Sequence, residues 1–375
     1  MAEYLTNTTD LTKVASAIRE KGGTSDSLIY PDGFVTAIQA IQTGTELQII
    51  VTVTSGATVT ATKGSLSVSG TSVNGTCTLT VPEAGTWSVN ATLNGKTSNT
   101  VSVSVVDSYA LTLYFASYTL NDNEWSIIKS VSDTGQGANY WSIGDRKAVT
   151  LNGTVGKLSL SNVTTYAFII GFNHNASVEG TNRIHFQLAK TALTGGTDIC
   201  LCDSSYNSNV STTGYFSMNS SQSNSGGWAS SQMRTNICGT SLSSYSGTII
   251  AVIPAALRAV LKSVTKYTDN TGNNTAERVV TATTDYFFLL SEYEVFGSIS
   301  YANRNERNKQ AQYAYYSAGN SKAKYKHNDT STAADWWLRS PNTINSDFFV
   351  YVTNDGIVTY WYANRSFGFA PGFCV

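Results

Sequence analysis

Between Leu47 and Val106 the chain changes character every second residue, and that alternation constrains its fold more than any other feature. Gln48-Ile49-Ile50-Val51-Thr52-Val53 predicts a strand, and Thr58-Val59-Thr60-Ala61-Thr62 a second that ends at the Lys63-Gly64 turn. Thr76-Cys77-Thr78-Leu79-Thr80-Val81 runs from Gly75 to the turn Pro82-Glu83-Ala84-Gly85. Trp87-Ser88-Val89-Asn90-Ala91-Thr92 then leads to Asn94-Gly95, a pair suited to the positive backbone angles of a tight hairpin. Thr100-Val101-Ser102-Val103-Ser104-Val105 closes the series. Successive strand side chains point to opposite faces, so Val101, Val103 and Val105 give one buried face while the serines give a wet one. Short strands at this spacing predict a small β-sandwich over residues 46–107.

The 375 residues leave room for two or three domains. Only 13% are charged, against ~25% in ordinary globular proteins, and 24 Lys+Arg balance 25 Asp+Glu. That balance leaves no basic stripe to neutralise phosphates, so no nucleic-acid partner is expected. Polarity must come from Ser, Thr, Asn and Gly, which favours β-structure with polar loops; the predicted class is mainly β with α+β character. Met1-Ala2-Glu3-Tyr4 opens no apolar signal core, and no apolar run reaches the ~18 residues of a membrane helix. Neither a signal peptide nor membrane insertion is expected. Cys77, Cys200, Cys202, Cys238 and Cys374 are too scattered for a disulfide framework, and with three histidines they predict neither a metal site nor a cofactor.

Residues 1–45 read as a helical arm. Leu11, Val14, Ala15 and Ile18 fall on one helical face after Thr9-Asp10, and Lys21-Gly22-Gly23 supplies a stop. A turn at Tyr30-Pro31-Asp32-Gly33 precedes a second amphipathic stretch with Phe34, Ala37, Ile38 and Ile41. Two such helices bury too little to stand alone. The string LTKVASAIREKGGTSDSLIYPDGFVTAIQAI resembles a module at the start of bacteriophage tail and other virion proteins of Gram-positive gut-type hosts. There it looks like an attachment element, which implies other virion proteins as partners. The sandwich segment resembles the bacterial immunoglobulin-like spacers of surface and phage tail proteins.

Residues 108–375 form the third region. Its predicted elements are strands at Thr165–Ile170, Arg183–Phe186, Thr248–Val252 and Tyr286–Leu290 and a helix at Pro254–Leu261, separated by Ser/Asn/Gly loops such as Asp203–Ser225. Glu124-Trp125-Ser126-Ile127-Ile128, Trp141-Ser142-Ile143-Gly144-Asp145, Ile170-Gly171-Phe172-Asn173-His174 and Gly226-Gly227-Trp228 with Met233-Arg234 occur in order. Phe288-Leu289-Leu290-Ser291-Glu292, Glu294-Val295-Phe296-Gly297 and Trp336-Trp337-Leu338-Arg339-Ser340-Pro341 follow. Together they resemble a family of bacterial surface and phage domains of unassigned activity, whose fold is similar to the C-type lectins and formylglycine-generating enzymes. The resemblance implies a C-type-lectin-like α+β domain. Its usual closing Gly-Val-Arg-Pro-like string is replaced by Gly368-Phe369-Ala370-Pro371, without the arginine.

Catalysis would need converging carboxylates or a nucleophile beside its base. Asp145, Glu292, Glu294, Asp335 and Asp355 are the candidate acids, and His174, His185 and His327 the only imidazoles. No nucleophile elbow, phosphate-cradling loop or calcium-lectin string accompanies them. The chain reads as a non-enzyme. A glycan-degrading enzyme using Glu292, Glu294 or Asp335 is the rival, and a structural decoration protein of the virion the third reading.

Residues 342–367 carry the strongest functional signal. Asn354-Asp355-Gly356 predicts a hairpin turn between Phe349–Thr353 and Ile357–Tyr362, and Tyr360, Trp361 and Tyr362 in succession must show rings on both faces. Tyr and Trp beside Asn, Ser and Thr give contact area at low entropic cost. A Trp-Trp-Leu-Arg-Ser-Pro opening before such an ending resembles the variable region of proteins diversified by retroelements that mutate adenines. The resemblance implies Ile344, Asp347, Tyr351, Thr353, Ile357, Tyr360, Tyr362, Arg365 and Phe367 as exposed variable positions, and Trp361 as scaffold or a residue flanking the site. The expected function is host attachment from a phage particle surface, in the tail, toward a host-cell surface protein or glycan. A homotrimer is expected by analogy with phage fibres.

Overall fold

A computed structural model describes residues 8–22, 25, 27–40, 46–204, 206 and 216–375. Gly23 and Ile41 of the predicted arm, Met1 to Tyr4, and 205 and 207–215 of the long loop lie outside the described residues. The chain is mainly β with short helices and divides into two compact units, Met1–Phe115 and Ala116–Val375.

In the first unit, helices Thr8–Gly22 and Asp32–Ala40 bury Ala15, Ile18 and Phe34 against each other. Leu11, Leu28 and Ala37 flank that cluster, whereas Val14 and Ile38, predicted on the buried faces, are exposed. Two helices of this length have too little facing surface to cover a wider stripe.

The sandwich carries eight strands: β1 (Gln48–Thr52), β2 (Thr58–Lys63), β3 (Leu66–Thr71), β4 (Thr76–Thr80), β5 (Gly85–Leu93), β6 (Lys96–Thr97), β7 (Val101–Val105) and β8 (Ser108–Thr112). One sheet runs β4-β1-β8; the other runs β3-β2-β5-β6, with β7 also on β5. Ile49, Val51, Val59, Ala61, Leu79, Trp87, Val89, Val103 and Val105 fill the space between them. Each fully buried aliphatic chain contributes roughly 1.5–3 kcal/mol relative to exposure. Asn94 and Gly95 take φ of 50° and 77°, the left-handed pair a two-residue hairpin requires. β8 pairs in parallel with β1, Gln48 opposite Ser108, so this unit runs past the predicted boundary at residue 107.

The second unit is built on a five-stranded sheet ordered β15-β21-β11-β10-β9, from β9 (Arg146–Val155), β10 (Leu158–Phe172), β11 (Ile184–Lys190), β15 (Phe287–Phe288) and β21 (Gly372–Cys374). β21, last in chain order, enters between β11 and β15, with Cys374 opposite His185 and Phe373 opposite both Phe186 and Phe287. Helix Trp125–Asp133 lays Trp125 against Phe186 and Phe373, its ring centroids 5.6 and 6.2 Å from theirs. Smaller sheets surround this one: β12 (Ile199–Cys200) with β16 (Lys324–Lys326) and β17 (Asp329–Ala334); β13 (Val264–Asp269) with β14 (Val280–Asp285); and β18 (Trp336–Pro341), β19 (Phe348–Val352) and β20 (Val358–Tyr362).

Residues Ile249–Val252, predicted as strand, form a helical turn. A short apolar run carries no period to separate the two states. Gly153 makes room for the turn: a side chain there would meet Val252 at 3.3 Å. The neighbouring predicted helix is one turn, Ala255–Arg258, beginning after Pro254. All five cysteines are free and buried. Among the described residues, no helix is long and apolar enough to cross a membrane.

Candidate functional site

β18 anchors the site. All six of its residues are buried. Trp336 donates its indole N–H to the Lys322 carbonyl at 2.9 Å, and Trp337 donates to the Phe216 carbonyl at 3.0 Å. β19 is the middle strand and β20 the edge, paired Phe348–Tyr362, Phe349–Trp361, Val350–Tyr360, Tyr351–Thr359 and Val352–Val358. Gly356 takes φ +89° in the predicted turn, which is closed by the Thr353 N–H on the Ile357 carbonyl at 2.8 Å.

Register decides what each aromatic does, because directly paired residues share a face. One face holds Phe349, Tyr351, Thr359 and Trp361. Its inner part is core: Tyr351 lies 4.6 Å from Phe367, which lies 4.7 Å from Trp337. The opposite face carries Phe348, Tyr360 and Tyr362, all half-buried, with Phe348 stacked on Tyr360 at 5.2 Å and edge-on to Tyr362 at 4.8 Å. Tyr301, from a neighbouring loop, meets Tyr360 edge to face at 4.8 Å.

Three of the nine predicted surface positions are therefore corrected. Tyr351 is 9%, Arg365 8% and Phe367 1% exposed. Tyr351 and Phe367 face inward onto Trp337, and Arg365 folds over the Tyr362 ring at 6.0 Å, its Nε and Nη1 without hydrogen-bond partners among the described residues. Ile344 and Ile357 are 72% and 59% exposed, while Asp347, Thr353, Tyr360 and Tyr362 are half-buried at the surface. Trp361, expected as scaffold or flanking the site, is 38% exposed at the edge strand.

The loop carrying Ile344 and Asp347 is pinned from beneath by a residue that sequence reasoning passed over. Asn224 donates its amide to the carbonyls of Asn342 at 2.9 Å, Asn345 at 3.1 Å and Phe348 at 2.9 Å. Asn342 Oδ1 accepts from the backbone of Ile344 and Asn345, both at 2.8 Å. Exposed side chains thus stand on a backbone whose polar groups are tied, the arrangement that lowers the ordering cost of binding.

Most of the candidate acids are taken up by hydrogen bonds to backbone or ion pairs at separate places. Glu292 is buried and accepts backbone N–H groups from Ser300 at 2.5 Å, Tyr301 at 3.2 Å and Ala302 at 2.8 Å, fixing the loop that presents Tyr301. Asp335 accepts from the Asn354 backbone at 2.8 Å, Asp145 from Ser142 at 2.9 Å, and Asp355 lies exposed in the turn. His327 Nδ1 accepts from the Cys202 N–H at 3.1 Å.

Glu294 belongs to a buried ionic network. Arg339 grips it through Nη1 at 2.5 Å and Nη2 at 2.9 Å, and Lys266 Nζ lies 3.0 Å from Glu294 and 2.8 Å from Glu179. Burial alone would raise the Glu294 carboxyl; the Arg339 and Lys266 charges outweigh it and hold the group well below its ordinary range. Burial pushes Glu179 up to about 7 against the pull of Lys266. His174 stacks on Tyr313 at 3.7 Å, and burial lowers it to about 3. His185 Nδ1 sits 3.2 Å from both the Tyr313 hydroxyl and the Cys374 thiol, and burial holds it well below its ordinary value. Ligand atoms of His174, Glu179 and Glu294 lie within 4.8 Å of one another, a spacing that a metal ion would accept. Here the positive charge those carboxylates call for is supplied by Lys266 and Arg339.

Residues 205–375 match a family model described as a domain of unknown function (DUF6273). The match begins inside the second unit and takes in β13 to β21, hence Lys266, Glu294, Arg339 and the whole edge hairpin. No curated protein and no solved structure matches the chain.

Proposed function

We propose that the chain is a receptor-binding protein of a bacteriophage particle, a tail-associated adhesin rather than an enzyme. The observation that carries this reading is the edge hairpin. Ile357 and Trp361 project from it and Ile344 from the loop before it, while Tyr360 and Tyr362 lie half-buried on the face opposite Trp361, on a scaffold tied by Asn224, Glu292 and β18. Rigid Tyr and Trp on a fixed backbone suit recognition of a host-cell surface protein or glycan. The helical arm resembling virion modules would join the protein to other virion components, the sandwich would act as spacer, and trimeric assembly follows by analogy with fibres. The C-type-lectin-like fold belongs to this same reading.

Diversification of the hairpin by a retroelement is part of the proposal, restricted to Ile344, Asp347, Thr353, Ile357, Tyr360 and Tyr362. Tyr351, Arg365 and Phe367 are excluded because substitution there would disturb the packing under the hairpin. Sequencing the DNA downstream of the gene tests this. A near-copy of the stretch encoding residues ~335–375, differing at adenines beside a reverse transcriptase gene, is expected; differences concentrated at codons 351 and 367 would contradict the assigned face. Attachment itself is tested by flow cytometry of the labelled full chain on a panel of Gram-positive gut bacteria, where saturable binding to some strains is expected and binding to none would sink the reading.

A further inference from the structure

A cleft of about 400 Å³ is lined by Tyr293, Gly297, Ser298, Ile299, Arg304 and Arg307, on the chain segment that leads to Tyr301. We infer that this cleft is a subsite for the acidic group, carboxylate or phosphate, of an anionic glycan whose neutral part lies against the hairpin aromatics. The inference rests on reading the hairpin as a binding face.

The local fold separates charge. Arg304–Asn308 is a 3-10 turn, in which side chains three residues apart stand one above the other. Arg304 and Arg307 are such a pair; both are exposed and both line the cleft. Glu306, the acid between them, is turned inward, where it accepts from the Asp269 N–H at 3.0 Å and the Ser340 hydroxyl at 2.8 Å. Among the described residues, neither arginine lies within ion-pair distance of a carboxylate. The turn therefore shows two unneutralised guanidinium groups on one side, each a planar fork matched to carboxylate or phosphate oxygens. A volume of this size holds a sugar residue with its acidic substituent.

The cleft and the aromatic face share one loop. Ser298 and Ile299 form a cleft wall, and Tyr301, two residues on, meets Tyr360. Glu292 fixes that loop through the Ser300, Tyr301 and Ala302 N–H groups, and Thr343 donates its N–H to the Tyr301 carbonyl at 3.0 Å. A ligand spanning both would meet apolar ring faces on one side and two cations on the other. Sugar C–H faces lie well on aromatic rings, and the acid would supply the charge.

The test is isothermal titration calorimetry on the full chain with three probes: a hyaluronan tetrasaccharide as the uronate, a glycerol phosphate oligomer as the phosphate, and chitotetraose as the neutral control. One or both anionic probes should bind, and Arg304→Gln with Arg307→Gln should weaken that binding at least tenfold. Lys309→Gln, which removes an exposed cation on the same turn but outside the cleft, should change it less than twofold. Failure of both anionic probes to bind, or equal losses for the arginine pair and Lys309→Gln, would overturn the inference. Cell binding separates the two readings. If Tyr360→Ser with Trp361→Ser abolishes it while the arginine pair leaves it unchanged, the subsite falls and the hairpin stands. If the arginine pair abolishes probe binding while the hairpin variant still binds cells, the subsite stands and the hairpin reading falls.

Discussion

The two units solve the problem of a stable interior in opposite ways. Between the sandwich sheets the core is aliphatic with Trp87 and Cys77, and the buried polar groups Ser72 and Ser98 are hydroxyls already bonded to backbone. The second unit buries Glu179, Lys266, Glu292, Glu294, Glu306 and Arg339 besides two histidines. The sandwich is two facing sheets with tight turns, whose strands satisfy one another's backbone and close over apolar side chains alone. The second unit adds several small sheets of short strands to its five-stranded sheet, and the loops between them leave backbone groups and segment ends that charged side chains tie together. Such networks are costly to leave half-satisfied.

The contrast breaks most visibly at Arg339. Arg339→Leu leaves Glu294 buried beside Lys266 alone and strands the Leu289 carbonyl, which it contacts at 2.8 Å. A loss of about 3–5 kcal/mol is expected in the second unit, read as faster hydrogen exchange there, with exchange in β1 to β8 unchanged. Equal loosening of both units would mean that their stabilities are not separate.

In the sandwich the matching cut is Leu79→Ala, which removes packing and no charge. It should cost about 2–5 kcal/mol, by the same amount at pH 5 and pH 7, since no histidine lies in residues 1–115. A pH-dependent loss would show that a titrating group governs this core.

A subtler difference comes from His174. Its folded-state value is depressed to about 3 by burial, so its contribution is fully present above about 6.5 and is lost as pH falls toward 3. His174→Phe keeps the ring stack on Tyr313 and removes the titration. Relative to the parent chain the variant should gain about 2 kcal/mol between pH 7 and pH 5, measured from urea midpoints. Parallel pH curves would remove His174 from the account.

The same contrast explains what was legible in the sequence. Alternation in β1, β2, β4, β5 and β7, and the turns at Asn94-Gly95 and Asn354-Asp355-Gly356, are local signals and all formed as expected. β3 was invisible because its residues alternate between exposed and half-exposed, leaving no buried face to read. The Glu179–Lys266–Glu294–Arg339 network had no local signature, since topology gathers it from segments far apart in the chain. The hairpin lay between these cases. Its strands and turn could be read, but which face of β19 met the core depended on Trp337 and Phe367. Tyr351 was therefore placed outside, where the structure buries it at 9% exposure.

The smallest effect on stability should come where the effect on function is largest. Tyr360→Ser with Trp361→Ser trims two rings from an edge strand and leaves β18, β19 and the Asn224 clasp intact. Flow cytometry on bound bacterial cells, paired with thermal melting of the same samples, is the most direct test of the hairpin as a binding face. At least a tenfold loss of cell binding is expected, with the melting temperature moved by no more than about 4 °C. Undiminished binding, or a collapse of melting as deep as that of Arg339→Leu, would contradict it.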